Sequence, residues 1–113
     1  MHGECGGYMV LGASLTDADG LAHRMAGLLG VSTTFAQRKL HLGYRDARLI
    51  EAGCLGPAGT RLRGHEFHYA NVETTGEDPP FAWVCDAHGG EPVSAGGRRG
   101  LVSGSFFHVI AAA

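Results

Sequence analysis

With 113 residues the chain has room for one domain and a modest core, and is short for a complete doubly wound enzyme domain. A net charge of -2 with 18% charged residues offers no basic field for nucleic acid or anionic lipid and no acidic tail. No apolar run reaches membrane-spanning length, and the opening MHGECGG lacks a basic segment followed by an apolar one, so a cytoplasmic protein without nucleic-acid or membrane partners is expected.

In chain order, the first informative stretch is HGECGGYMVLG, residues 2–12, where a cysteine stands among glycines just ahead of an apolar run. A buried structural cysteine has no need of such glycines, whereas a nucleophile on a sharp strand-to-helix turn uses them to avoid backbone clashes. Tyr8, Met9, Leu11 and Leu15 recur at helical spacing and predict a helix from Gly6 to about Leu15, followed by a turn over 17–20. From Lys39 to Ile50 the near alternation of Leu40, Leu42, Tyr44, Ala47 and Leu49 predicts a strand. GPAG, 56–59, reads as a turn and residues 60–73 as a second strand. TTGEDPP, 74–80, punctuates the chain before a strand over 81–87 and a turn-rich link over 88–100 that contains a solvated GRRG. The last strand, LVSGSFFHVI, carries His108 near its end. This order predicts an α/β domain, one elbow helix followed mostly by strands in a sheet, with Cys5 and His108 facing a crevice at strand carboxyl ends.

The three cysteines, Cys5, Cys54 and Cys85, are far apart and suggest neither a disulfide framework nor a zinc site. At a helix amino terminus the Cys5 thiolate would be favoured by free N–H groups and the helix dipole, with the Gly6 N–H aimed at an oxyanion. On residue pattern alone Cys5 is equally a nucleophile or an inert buried thiol, whereas Cys54 beside a turn and Cys85 in an apolar strand fit inert thiols. A thiol nucleophile wants an imidazole to take and return its proton. Of the seven histidines, His2 is terminal and His23, His41 and His88 sit among polar or turn residues, as solvated or hydrogen-bonded side chains. His65, His68 and His108 remain. On a strand, GHEFH sends His65 and Phe67 to one face and Glu66 and His68 to the other; without an evident third ligand, a hydrogen-bonded pair is the simpler reading than a metal site.

Taken together, GECGGYMVLG, RKLHLGYR, GPAGTRLRGHEFHYA and RRGLVSGSFFHVI resemble, in order and over nearly the whole chain, the carboxy-terminal glutamine amidotransferase domain of cobyrinic or hydrogenobyrinic acid a,c-diamide synthases. The resemblance implies a class I, triad-type, flavodoxin-like sheet domain in a subgroup that relies on a Cys and His pair. It makes Cys5 of ECGG the nucleophile and His108 of SFFH the general base and acid. Gly6 and Gly7, with His65, Glu66 and His68, become the expected oxyanion and substrate-binding residues. The implied chemistry is attack on the glutamine amide, release of ammonia, a glutamyl thioester and its hydrolysis. Ammonia would pass to an amino-terminal synthetase domain that uses ATP and magnesium to amidate the a and c carboxylates of a corrinoid. No metal or cofactor is expected on residues 1–113 themselves.

Two departures from the wider pattern shape the expectations. His108 is followed by Val109 and Ile110, with no acid two positions on, and Glu66 is the nearest motif acid that could orient it or recognise glutamine. Only Met1 to Glu4 precede Cys5, where an elbow wants a full strand. Residues 1–113 are therefore expected to be a partial amidotransferase domain, from nucleophile elbow to catalytic-histidine strand, with the amino-terminal strands and a glycine-rich oxyanion loop missing. Two further readings stay open: an amidotransferase for another acceptor, and a non-catalytic remnant that needs a partner chain.

Overall fold

The computed structural model of the chain describes residues 1–36, 40–86 and 90–112. The predicted behaviour of His88 lies outside the described residues. Gly3 and the short polar segment around it form β1 (His2–Glu4), which leads through Cys5 into α1 (Gly6–Leu11). Then come β2 (Ser14–Thr16), β3 (Ala22–Arg24), β4 (Ser32–Thr34), the long β5 (His41–Leu49) and β6 (Arg61–His68), and β7 (Asn71–Thr74). The chain closes with β8 (Ala82–Asp86), β9 (Val93–Ala95), β10 (Gly97–Arg99), β11 (Val102–Ser105) and β12 (His108–Ala112). Among the described residues three sheets result, ordered β1-β11-β10, β12-β6-β5-β8-β9 and β3-β2-β4-β7. The pairs β1–β11 and β2–β4 are parallel and the other described pairings are antiparallel. This is a small mixed α/β domain dominated by strands, as the sequence pattern predicts. No helix among the described residues is long and apolar enough to cross a membrane.

Several boundaries differ from expectation, each for a local reason. The helix stops at Leu11 rather than Leu15, because at Gly12 the chain turns extended and passes within contact of Val31, and Leu15 then joins β2. Residues 60–73 are two strands: β6 and β7 enter different sheets, parted at Tyr69 and the fully buried Ala70. The link over 88–100 contains β9 and β10, and GRRG is a paired strand rather than a solvated turn. Its Arg99 guanidinium lies 2.8 Å from the nearly buried Asp78 carboxylate, and Arg98 faces Glu51 at 3.7 Å. The final segment is also two strands, so His108 opens β12 instead of ending a strand.

That last break positions the site. Phe106 and Phe107 are consecutive and anchor in different apolar clusters, Phe107 with Leu49, Leu62, Phe81 and Val84, Phe106 with Tyr8, Leu11, Leu29 and Val31. The Ser105 hydroxyl accepts the Phe107 N–H at 3.1 Å, tightening the corner between β11 and β12. Clamped on both sides, the corner delivers His108 to the start of β12 opposite His65 of β6. Gly64 makes this approach possible, since a Cβ there would overlap the His108 carbonyl oxygen and come within 2.7 Å of the Phe107 ring.

Tyr8 is the largest side chain in the second cluster, buried edge-on against Phe106 with centroids 5.3 Å apart. Its hydroxyl has no hydrogen-bond partner among the described residues, and burial, with Asp78 second, pushes the phenol up to about 12. A buried hydroxyl without a partner carries an uncompensated desolvation penalty, so Tyr8→Phe is expected to stabilise the domain by about 1 kcal/mol. Urea unfolding checks this; a loss of stability would show that the hydroxyl is paired.

Candidate active site

The site is built on the crossing from β1 into α1. Parallel pairing sets Gly3 beside Gly104 and Glu4 beside Ser105, and the Cys5 N–H continues the ladder to the Ser105 carbonyl at 3.0 Å. Cys5 then takes φ 52° and ψ -115°, the only non-glycine among the described residues with positive φ. Such backbone costs on the order of 1–3 kcal/mol and persists where a turn must present a side chain. On the next residue α1 begins, its first turn closed by the Met9 N–H donating to the Cys5 carbonyl at 3.1 Å.

The glycines around Cys5 play different parts from those predicted. A Cβ on Gly6 or Gly7 would meet nothing within 4 Å, so neither relieves a clash. The crowded position is Gly3, where a Cβ would lie 2.7 Å from Leu11 Cδ1 and 2.8 Å from the Gly7 carbonyl carbon. Gly3 and Gly7 thus flank the cysteine two residues to either side, the spacing of a strand-turn-helix elbow. Gly6 and Gly7 occupy the first two positions of α1, where N–H groups lack intrahelical acceptors and are available as donors.

The thiol proton of Cys5 points to the Phe106 carbonyl oxygen at 3.5 Å, placing the sulfur against the corner that leads to His108. Burial pushes the Cys5 thiol pKa up, and the Glu4 and Glu66 carboxylates push it further. These effects oppose the thiolate that the N–H groups of a helix amino terminus would favour.

His108 is about half exposed and stacks on His65 with centroids 5.0 Å apart. Its Nδ1 lies 3.2 Å from Glu4 Oε1, while Glu4 Oε2 accepts the Val109 N–H at 3.1 Å. His2 Nε2 is 3.4 Å from the same carboxylate, and His2 Nδ1 meets the Ser103 hydroxyl at 2.7 Å. Glu4 was missed from sequence, because its contact with His108 requires the pairing of β1 with β11 across about a hundred residues.

Glu66 is not the acid that holds His108. Alternation along β6 puts it on the opposite face from His65, where its carboxylate meets His68 Nε2 at 3.2 Å and Arg45 Nε at 3.8 Å. His68 Nδ1 donates to the Ala70 carbonyl at 2.9 Å, and its ring stacks between His41 and Phe106. The His68 hydrogen bond, then Arg45, hold the Glu66 carboxyl below its ordinary value against the cost of burial. The stabilisation this gives is complete above the ordinary pKa of 4.5 and is lost as pH falls through the lowered value.

Glu66 and His68 line a cavity of about 450 Å³ with Tyr8, His41, Asn71, Asp78 and Phe106. Phe106 links it to Cys5, since its ring lines the cavity and its carbonyl receives the thiol. Neither Cys5 nor His108 is in the lining itself. His65 faces away, into an open apolar groove with Leu42, Tyr44 and Phe67, and its Nδ1 is buried without a partner among the described residues. Cys54 is exposed and Cys85 is half-buried on β8, both distant in topology from the elbow.

Cys5 stands on a strand-turn-helix elbow with positive φ, and His108 follows the corner between the neighbouring parallel strand β11 and β12, an arrangement that suits a thiol nucleophile in an α/β domain. The profile of the CobB/CobQ-like glutamine amidotransferase domain matches residues 1–113, and the chain belongs to that family. Among curated proteins it is 58% identical over 111 residues to hydrogenobyrinate a,c-diamide synthase of Agrobacterium fabrum, an alignment covering 98% of this chain and 25% of that protein. The protein of the same name from Mesorhizobium japonicum is 58% identical over 113 residues, 100% of this chain and 26% of the relative. That from Rhodobacter capsulatus is 57% identical over 111 residues, 98% and 25%. The chain therefore spans about a quarter of the length of the curated relatives it matches.

Proposed function

We propose that these residues are the glutamine-hydrolysing part of a hydrogenobyrinate a,c-diamide synthase. The observation that carries the reading is the positive φ of Cys5 at the β1–α1 elbow, which presents the thiol to the segment ending in His108. His108 takes the thiol proton as Sγ attacks the side-chain amide carbon of glutamine, and the N–H groups opening α1 face the oxyanion. The tetrahedral adduct collapses when His108 returns that proton to the leaving nitrogen, releasing ammonia and leaving a γ-glutamyl thioester. Water, deprotonated by the same imidazole, cleaves the thioester to glutamate and restores the thiol. The cavity beside the elbow receives the amino-acid end of glutamine, with the Glu66 carboxylate facing its ammonium group.

Ammonia then amidates the a and c carboxylates of the corrinoid. The ATP and magnesium for that step belong to the remaining part of such an enzyme. Among the described residues no group of three or more His, Cys, Asp or Glu side chains is placed to hold a metal ion, and the hydrolysis is written with protein side chains and water alone.

The test is to place residues 1–113 in the matching quarter of the Agrobacterium fabrum relative. The chimera is expected to amidate hydrogenobyrinate with glutamine, releasing glutamate, and with ammonia. Ammonia-driven amidation without glutamate release would contradict the reading. In the same chimera Glu66→Gln is expected to lower glutamine-dependent kcat/KM by well over tenfold, each tenfold being about 1.4 kcal/mol. Unchanged kinetics with a lower melting temperature would assign Glu66 a structural role only.

A further inference from the structure

We propose that Glu4, the residue immediately before the nucleophile, is the positioning residue for His108. This rests on the glutaminase reading above and supplies the acid that the segment after His108 lacks. One carboxylate makes two contacts to one segment, Oε1 with the ring at 3.2 Å and Oε2 with the Val109 N–H at 3.1 Å. The first fixes ring rotation and the second fixes the start of β12. Without them a half-exposed imidazole would be free to turn among rotamers. An Nδ1–H donated to Glu4 leaves Nε2 with its lone pair, the nitrogen that must accept the thiol proton. The carboxylate also stabilises the imidazolium formed by that transfer.

The surroundings support this assignment over the alternatives. His65 stacks on the His108 ring but offers no negative charge, and Glu66 is engaged with His68 and Arg45 on the far face of β6. His2, bonded to Ser103 through Nδ1, flanks the Glu4 carboxylate from behind. The geometry also explains a cost. The same carboxylate, after burial, pushes the Cys5 thiol pKa up and so opposes the thiolate beside it. Nucleophile and orienting acid are then neighbours in sequence, and the base arrives from the other end of the chain.

The experiment uses the chimera described above, with glutamine and ammonia as alternative nitrogen donors. Glu4→Gln keeps an oxygen for the Val109 N–H but turns its amide N–H toward Nδ1, driving the ring proton onto Nε2. Glutamine-dependent kcat is expected to fall about a hundred- to ten-thousandfold, with the KM for glutamine within about threefold and ammonia-driven amidation unchanged. The double variant Glu4→Gln/His108→Ala should be no slower than His108→Ala, since Glu4 acts through the imidazole. Glu4→Asp, keeping the charge on a shorter arm, should recover part of the loss. A Glu4→Gln kcat within threefold of the parent, losses that multiply in the double variant, or a raised KM with each change would overturn the proposal. Cys5→Ser is run beside them: glutamine use surviving in that variant would overturn the thioester reading itself and the role of Glu4 with it.

Discussion

Cys5→Ser is expected to abolish amidation from glutamine while sparing amidation from added ammonia. The thioester step alone needs the sulfur. A serine hydroxyl on the same elbow would face the amide carbon in similar geometry, yet it is a far poorer nucleophile at neutral pH. Loss of a nucleophile in a Cys–His or Ser–His site costs several powers of ten, so glutamate release should fall by at least about a thousandfold. Cys54→Ala and Cys85→Ala serve as controls, one in an exposed loop and the other half-buried on β8, and both should retain turnover. Steady-state rates with each nitrogen donor, measured on one preparation, separate a chemical loss from a folding defect.

The largest effect on stability is expected from Phe107→Ala. Phe107 is 1% exposed, fills the cluster between β5, β6 and β8, and lies over Gly64, where the strand has no side chain of its own. Truncation would leave a ring-sized cavity that β12 cannot collapse into without dragging His108 from its place. Phe→Ala changes in such cores cost about 3–5 kcal/mol, a large share of the stability of a domain this size. Urea unfolding should show that loss, and glutamine hydrolysis should fall with it even where the variant remains folded. Phe107→Leu, which keeps most of the volume, should recover most of both. A loss under about 1 kcal/mol for Phe107→Ala would mean that the corner is held by something other than this ring.

What could be read from residue order follows the range of the contacts involved. Cys5 and the helix after it rest on neighbours within a few positions, and GECGG carries them visibly. The alternation in β5 and β6, and the split of GHEFH between faces, also follow from period-two geometry. The short strands β3, β4, β9 and β10 were not legible, since three residues carry no period and such strands exist only by pairing with distant partners. The same limit hid Glu4. In sequence it is an acid beside a cysteine; only the parallel register of β1 on β11 brings it to His108. Glu66 stands within the GHEFH motif, but strand alternation turns it to the cavity side, away from His108. The need for glycine at position 3 is invisible in residue order, since its crowding comes from Leu11 and Gly7 folding back over it.

The most direct test of the central claim is to locate the covalent adduct. The chimera is treated with a diazoketone analogue of glutamine, which alkylates the thiol that attacks it, and the product is digested and mapped by mass spectrometry. One label is predicted, on Cys5, blocked by excess glutamine and slowed strongly in His108→Ala. Labelling of Cys54 or Cys85 with Cys5 untouched, or labelling of Cys5 at an equal rate without His108, would contradict the account.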